Sequence, residues 1–337
     1  ATDQGMNTEN GTITGNGTNI NAQYLWASKA GTITLTDGTV KVKEVTAEDT
    51  GSTITLTGGT YTIDTVKADK GGKVSLKGKT TNLKGLTSGE DSNIEAVLNG
   101  TDSALVGDLD GTGTITLNLE DKAGWTGNAK GTGAYTVTVG NGSTWTGTSS
   151  NGDMTLNLNG TWTNNGTSSI GKLSATNGVV DMSGTNAGTI TIKNYAGNST
   201  YLYKHDTTKP TDANTGYTIL GGDVKITSAD KSSEITLVTD MAGMDFDSSK
   251  AYDKNLINGT LNALAGKLYY TNYKDGNLTG KVKIAEGLTS QSAEKRLETI
   301  SWKENGQGQY SYTPSYDIPD TQTKTEFDTP MTGGEDL

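Results

Sequence analysis

Cysteine is absent from the 337-residue chain, so neither a disulfide nor a thiol nucleophile enters its chemistry. Histidine occurs once, at His205, and arginine once, at Arg296. A metal site built from His and Cys therefore lacks its ligands. Proline is scarce: four residues, three of them after Thr313. Leu, Ile, Val and Phe together make up roughly 17% of the chain, a level that on its own can signal disorder. Disordered chains are, however, Pro-rich and strongly charged, and a net charge of -11 is small for this length. No apolar run approaches a membrane span. With pI ≈ 4.7, the acidic balance argues against a nucleic-acid partner, which demands a basic patch. Ala1 is not a start methionine and no signal peptide is visible, which reads as a processed or excised segment.

What is present is a repeated phrase. Ile33-x-Leu35, Ile54-x-Leu56, Val74-x-Leu76, Ile115-x-Leu117, Val137-x-Val139 and Leu156-x-Leu158 begin 21, 20, 41, 22 and 19 residues apart, the 41 being two periods. A second phrase runs in step, with Val40-x-Val42 then Val45, Tyr61-x-Ile63 then Val66, and Leu83 then Leu86. Each alternates apolar residues with Thr, Asn or Lys, as a strand with one buried face does. Self-similarity at this interval marks units that bury their apolar faces only against their neighbours. The 46 glycines and dipeptides such as Asn10-Gly11, Asn99-Gly100, Asn141-Gly142 and Asn151-Gly152 supply turns that need positive φ. Thr, β-branched yet water-compatible, suits a large outer surface. The fold class expected is all-β, a parallel β-helix with coils of about 20 residues, followed by a smaller β-rich module.

The expected organisation is a cap or first irregular coils over 1–30, with Tyr24-Leu25-Trp26 beginning or capping the coil. The β-helix follows over 31–240, a β-rich or mixed module over 241–315, and a flexible tail or linker over 316–337. Around His205 to Asn214 lies a polar insertion holding the first proline, Pro210. Leu256 to Tyr270 is mixed and has room for a helical turn, and Ser292 to Glu298 reads similarly. Ile300-Ser-Trp302, a Glu304-Asn305-Gly306 turn and Tyr310-x-Tyr312 read as a β-hairpin.

From Gly142 to Asp206 the phrases are Ser143-Thr-Trp145-Thr-Gly-Thr, Asn151-Gly-Asp-Met-Thr-Leu-Asn-Leu, Gly160-Thr-Trp162, Ser169-Ile-Gly-Lys-Leu173, Gly178-Val-Val-Asp181 and Gly188-Thr-Ile-Thr-Ile. This stretch resembles the passenger stem of pertactin-like type V autotransporters of Gram-negative-type bacteria. The segment from Leu261 to Pro314 looks like modules of large surface proteins of that kind. The resemblance implies a right-handed β-helix outside the cell, secreted or held at the surface by an outer-membrane barrel in the full-length protein, with no membrane insertion of this segment. It implies adhesion to host glycans, matrix proteins or neighbouring bacterial cells, including biofilm contact, and no cofactor.

Trp125, Trp145 and Trp162 recur as Trp-Thr-Gly or Trp-Thr-Asn at 20 and 17 residues. They are the candidate ligand-binding residues, an exposed platform for sugars; the alternative is an internal ladder of stacked rings. Glu48-Asp49, Asp69, Glu90-Asp91 and Asp110 are spaced by about one coil, which on a β-helix sets them one above another at about 4.8 Å. Solvated turns are one reading. Asp49, Asp69, Asp91 and Asp110 as a calcium site, or a carboxylate pair of a polysaccharide lyase or glycoside hydrolase, are others. A catalytic role for His205 would need an activated serine nearby, and it reads as a solvated loop residue. The expected function, as the resemblance implies, is adhesion, and catalysis is not expected. The polysaccharide-degrading enzyme and a structural stalk without its own ligand stand as alternatives.

Overall fold

The computed structural model describes residues 4–245, 254–285, 294–302 and 310–312. The protein is nearly all-β, 58% strand and 6% helix, and forms a parallel β-solenoid of about ten turns with a smaller β-rich module on the C-terminal side. It divides into two compact units, Ala1–Thr163 with Ser169–Ser174, and Asn164–Ser168 with Ala175–Leu337.

In the first unit each coil contributes a residue to each of three inward rows, and every row stacks apolar on apolar. The first runs Ile33, Ile54, Val74, Ile94, Ile115, Tyr135, each opposite the next in parallel register. Ile94 fills the coil that the sequence interval of 41 skips. The second runs through Leu83, Leu105, Trp125 and Trp145. The third runs Leu25, Val45, Val66, Leu86, Leu109 and Ala129. These side chains are between 0 and 2% exposed, and each buried Leu, Ile or Val contributes about 2 kcal/mol from apolar area removed from water. Parallel pairing already begins with Met6 opposite Leu25 and Thr12 opposite Thr32.

Turns separate the rows. Asn10, Gly100 and Gly142 take positive φ as the dipeptides predict. Asn151-Gly152 does not. Asn151 is instead buried, its amide donating to the Gly133 carbonyl at 2.8 Å and its Oδ1 accepting from the Asp153 N–H at 3.0 Å. Buried serines satisfy other corners across coils. Ser52, Ser92 and Ser103 each accept, at 3.0 Å, an N–H from the coil before, those of Ala30, Gly71 and Thr81.

In the second unit the strand Ile190–Tyr203 pairs in parallel with Val224–Ala229 and Ser233–Asp240, which pair in turn with Leu268–Tyr270 and Leu278–Ala285. The helical element is Lys254–Ala265, twelve residues rather than a single turn. It buries Leu256, Ile257, Leu261, Leu264 and Ala265, one apolar stripe at helical spacing. The polar insertion packs on it, the Tyr217 N–H donating to Thr260 Oγ1 at 3.0 Å. Glu294–Trp302 is a strand, which corrects the helical reading of Ser292 to Glu298. Its backbone bonds are taken by an antiparallel pairing with Leu278–Ala285. Ile300, Ser301 and Trp302 pair antiparallel with Tyr312, Ser311 and Tyr310; the turn between them lies outside the described residues, as does the tail over 316–337. Among the described residues no helix is long and apolar enough to cross a membrane, which says nothing of a β-barrel.

Candidate functional site

The tryptophan row is internal. Trp125, Trp145 and Trp162 are 1, 0 and 0% exposed. Successive indoles lie parallel, 4.6 Å between centroids and 6° between planes. Each indole N–H donates to a glycine carbonyl of the preceding coil: Trp125 to Gly107 at 2.8 Å, Trp145 to Gly127 at 3.0 Å, Trp162 to Gly147 at 3.0 Å. The three residues offered as an exposed sugar platform are thus a structural ladder, because their row continues Leu83 and Leu105 inward. The Trp-Thr-Gly motif follows from the same geometry. A methyl group added at Gly127 or Gly147 would collide with the carbonyl oxygen of Gly107 or Gly127, and both glycines sit at φ 156°.

The acidic column is shorter than its spacing implies. Glu48 lies opposite Asp69. Asp110 lies opposite Thr87, which lies opposite Lys67, so Asp110 is two positions away from the Asp69 row. Lysines neutralise what remains. Lys70 Nζ is 3.0 Å from Glu48 and Lys67 Nζ is 4.0 Å from Asp69. The Glu48 carboxylate beside it, with Asp69 and Asp49 near, raises the Lys70 pKa. Asp49 accepts from the Lys29 N–H at 3.1 Å, and Asp110 from the Gly111 N–H at 2.8 Å. Asp91 is an exposed turn residue at φ 57°. Coil lengths vary by one or two residues, which is enough to move a carboxylate off the column. Among the described residues no group of three or more His, Asp or Glu side chains gathers to hold a metal ion.

His205 corrects the expectation of a solvated loop: it is 4% exposed. Its Nδ1 is 3.0 Å from Thr239 Oγ1, and its ring meets Tyr217 edge-on at 5.6 Å. Burial lowers its pKa, against the opposing pull of the Ala242 backbone and of Asp240 and Asp206. The neighbours that bury it arrive from distant segments, so no local pattern announces them. Tyr195, Tyr201, Tyr203 and Tyr217 are likewise wholly buried in this unit.

In the first unit the aromatic residues that face outward are Tyr24 and Trp26. Their strand, Tyr24–Ser28, buries Leu25 and Ala27 at 0% exposure and turns the alternate residues out. Tyr24 and Trp26 are half-buried, 6.5 Å apart and nearly perpendicular at 86°. They form the wall of a groove of about 540 Å³ whose rim carries Asn7, Glu9, Glu48 and Asp49. That volume is in the range of small-molecule sites, roughly 300–1,000 Å³. Lys29 crosses the groove to Glu9, with 3.0 Å between the charges.

Comparison of the chain with family models, with curated proteins and with solved structures gave no match.

Proposed function

We propose that the chain is the passenger of a bacterial autotransporter, displayed at the cell surface or secreted, and acts in adhesion through an extended solenoid face. The observation that carries this reading is a flat polar array on the outside of the first unit. Thr12, Thr32 and Thr53 lie one above another, as do Thr14, Thr34 and Thr55, and Asn16, Thr36 and Thr57 beside them. Hydroxyl and amide groups repeated at the strand spacing of about 4.8 Å offer many equivalent weak contacts. Affinity then comes from multiplicity rather than from one dominant residue. Such a face suits host glycans, matrix proteins or neighbouring bacterial cells. Export through an outer-membrane barrel in the full-length protein belongs to the same proposal.

The test is binding of the purified chain to immobilised glycans, to matrix proteins and to bacterial cells. Binding should survive any one threonine substitution and fall when Thr32→Lys, Thr34→Lys and Thr55→Lys are combined in a chain that still folds. A folded chain that captures nothing on these surfaces would leave only the role of a stalk. Release of products from a polysaccharide panel would move the chain to the enzymes.

A further inference from the structure

In the first unit, the groove at Tyr24 and Trp26 brings two aromatic faces, charged groups and a concavity together on the outside. We infer that it is a binding site for a neutral pyranose sugar, the contact through which the adhesive reading above acts on glycans; the inference rests on that reading. Three observations point to this ligand class. First, the strand alternation alone does not require aromatics here: Asn7, exposed and opposite Trp26 in register, shows that a polar residue fills the same outward row. Tyr24 and Trp26, though half-buried, leave part of each ring in water, where a pyranose C–H face would cover it at little cost in side-chain entropy.

Second, the polar tips of the pair are available. The Trp26 indole N–H and the Tyr24 hydroxyl make no hydrogen bond among the described residues. The other described indole N–H groups are all engaged, those of the ladder with glycine carbonyls and that of Trp302 with the Leu278 carbonyl at 2.9 Å. Tyr24 is held in place from beneath, since any side chain on Gly5 would collide with its ring. The wall is thus positioned before a ligand arrives, which lowers the cost of binding.

Third, two of the three carboxylates around the groove are ion-paired, and the third, Asp49, accepts the Lys29 backbone N–H at 3.1 Å. Glu9 is paired with Lys29 and Glu48 with Lys70, both at 3.0 Å. Two perpendicular aromatic rings beside carboxylates would also suit an organic cation, but the Lys29 ammonium, paired with Glu9 in the same groove, repels one. Here the rim instead offers acceptors on the carboxylates, donors on the Lys29 ammonium, and both on the Asn7 amide. That mixture matches sugar hydroxyls, each donor and acceptor at once. A second groove of this unit, lined by Thr50, Ser52, Thr53, Lys73 and Asp91, has polar groups but no aromatic wall.

The experiment uses the full chain labelled with ¹⁵N, following its indole N–H resonances while cellotriose, triacetylchitotriose or maltotriose is added. Trp26→Phe identifies the Trp26 signal by its disappearance. At least one trisaccharide should move that signal and leave the ladder indoles unmoved, with Kd on the order of 1 mM, as expected for a small exposed site. Tyr24→Ala, read at the Trp26 signal, should weaken binding about tenfold or more, and Trp26→Ala should do the same, read at the backbone amides of Tyr24–Ser28. Glu9→Gln, which keeps the side-chain shape, serves as a milder probe with its folded state checked by circular dichroism, and should weaken binding less. A Trp26 signal that responds to none of the sugars overturns the inference, as does one that responds only to tetramethylammonium. The adhesive reading is separable. Sugar binding at Trp26 by a chain that adheres to nothing keeps the site and removes the adhesion. Adhesion undiminished in Trp26→Ala, with a silent Trp26 signal, does the reverse.

Discussion

Two sets of aromatic residues on one unit have opposite fates. Trp125, Trp145 and Trp162 are sealed inside, stacked face to face 4.6 Å apart. Tyr24 and Trp26 lie outside, edge to face 6.5 Å apart. Residue type does not separate them, since tryptophan occurs in both. Phase within the strand does. Trp26 alternates with buried Leu25 and Ala27, whereas Trp125 stands in the row of Leu83 and Leu105. In a solenoid this phase is inherited from one coil to the next, so a residue's role is set by what lies one coil before it.

The sharpest way to break the comparison is truncation in each set. Trp145→Ala should cost about 3–5 kcal/mol of stability in denaturant unfolding, because it leaves a cavity between two indoles that cannot close. A loss under about 1 kcal/mol would mean that the row is not continuous. Gly147→Ala comes next, at roughly 1–3 kcal/mol for overpacking against the Gly127 carbonyl. Gly184→Ala, where an added methyl group meets nothing, should stay within about 0.5 kcal/mol and is the control.

His205 extends the inside-outside rule to a titratable group in the other unit. Its folded pKa lies below the free value of 6.5. Its stabilising contribution is therefore complete above about pH 6.5 and is lost as pH falls through the lowered value. Thermal unfolding at pH 7.5 and 5.0 should show a larger acid-induced drop in the native chain than in His205→Gln. Equal drops would place the pH dependence elsewhere. The outer pair should cost less than the ladder: Trp26→Ala, which removes a half-buried indole, should lower stability by about 1–2 kcal/mol. A loss of about 3 kcal/mol or more there would make Trp26 structural, like its buried counterparts.

Much of this was legible in the sequence. The period of about 20 residues, the alternation and the turn signals specify stacked parallel strands, and the hairpin strands Ile300–Trp302 and Tyr310–Tyr312 were visible as well. The phase of Trp26 could be read from its apolar neighbours alone. That of Trp125 could not, because Gly124 and Thr126 are neutral flanks; only alignment with Leu105, one coil earlier, fixes it. Two failures have a common cause. His205 is buried by Tyr217 and Thr239, twelve and 34 residues along the chain, and Glu294–Trp302 is a strand because a distant partner takes its bonds. Neither contact leaves a local trace. In the helix Lys254–Ala265, Gly259 weakens the pattern, and it is there because the Gly216 backbone passes close by.

The link from each indole to the glycine one coil before it also bears on how such a chain changes over generations. A tryptophan arriving in a coil whose predecessor lacks that glycine has no acceptor and no room. A whole coil copied or removed as a block carries both halves of the fit, its own ring for the neighbour behind and its own carbonyl for the neighbour ahead. Lengthening or shortening by entire repeats is therefore easier for this architecture than altering one position within a repeat.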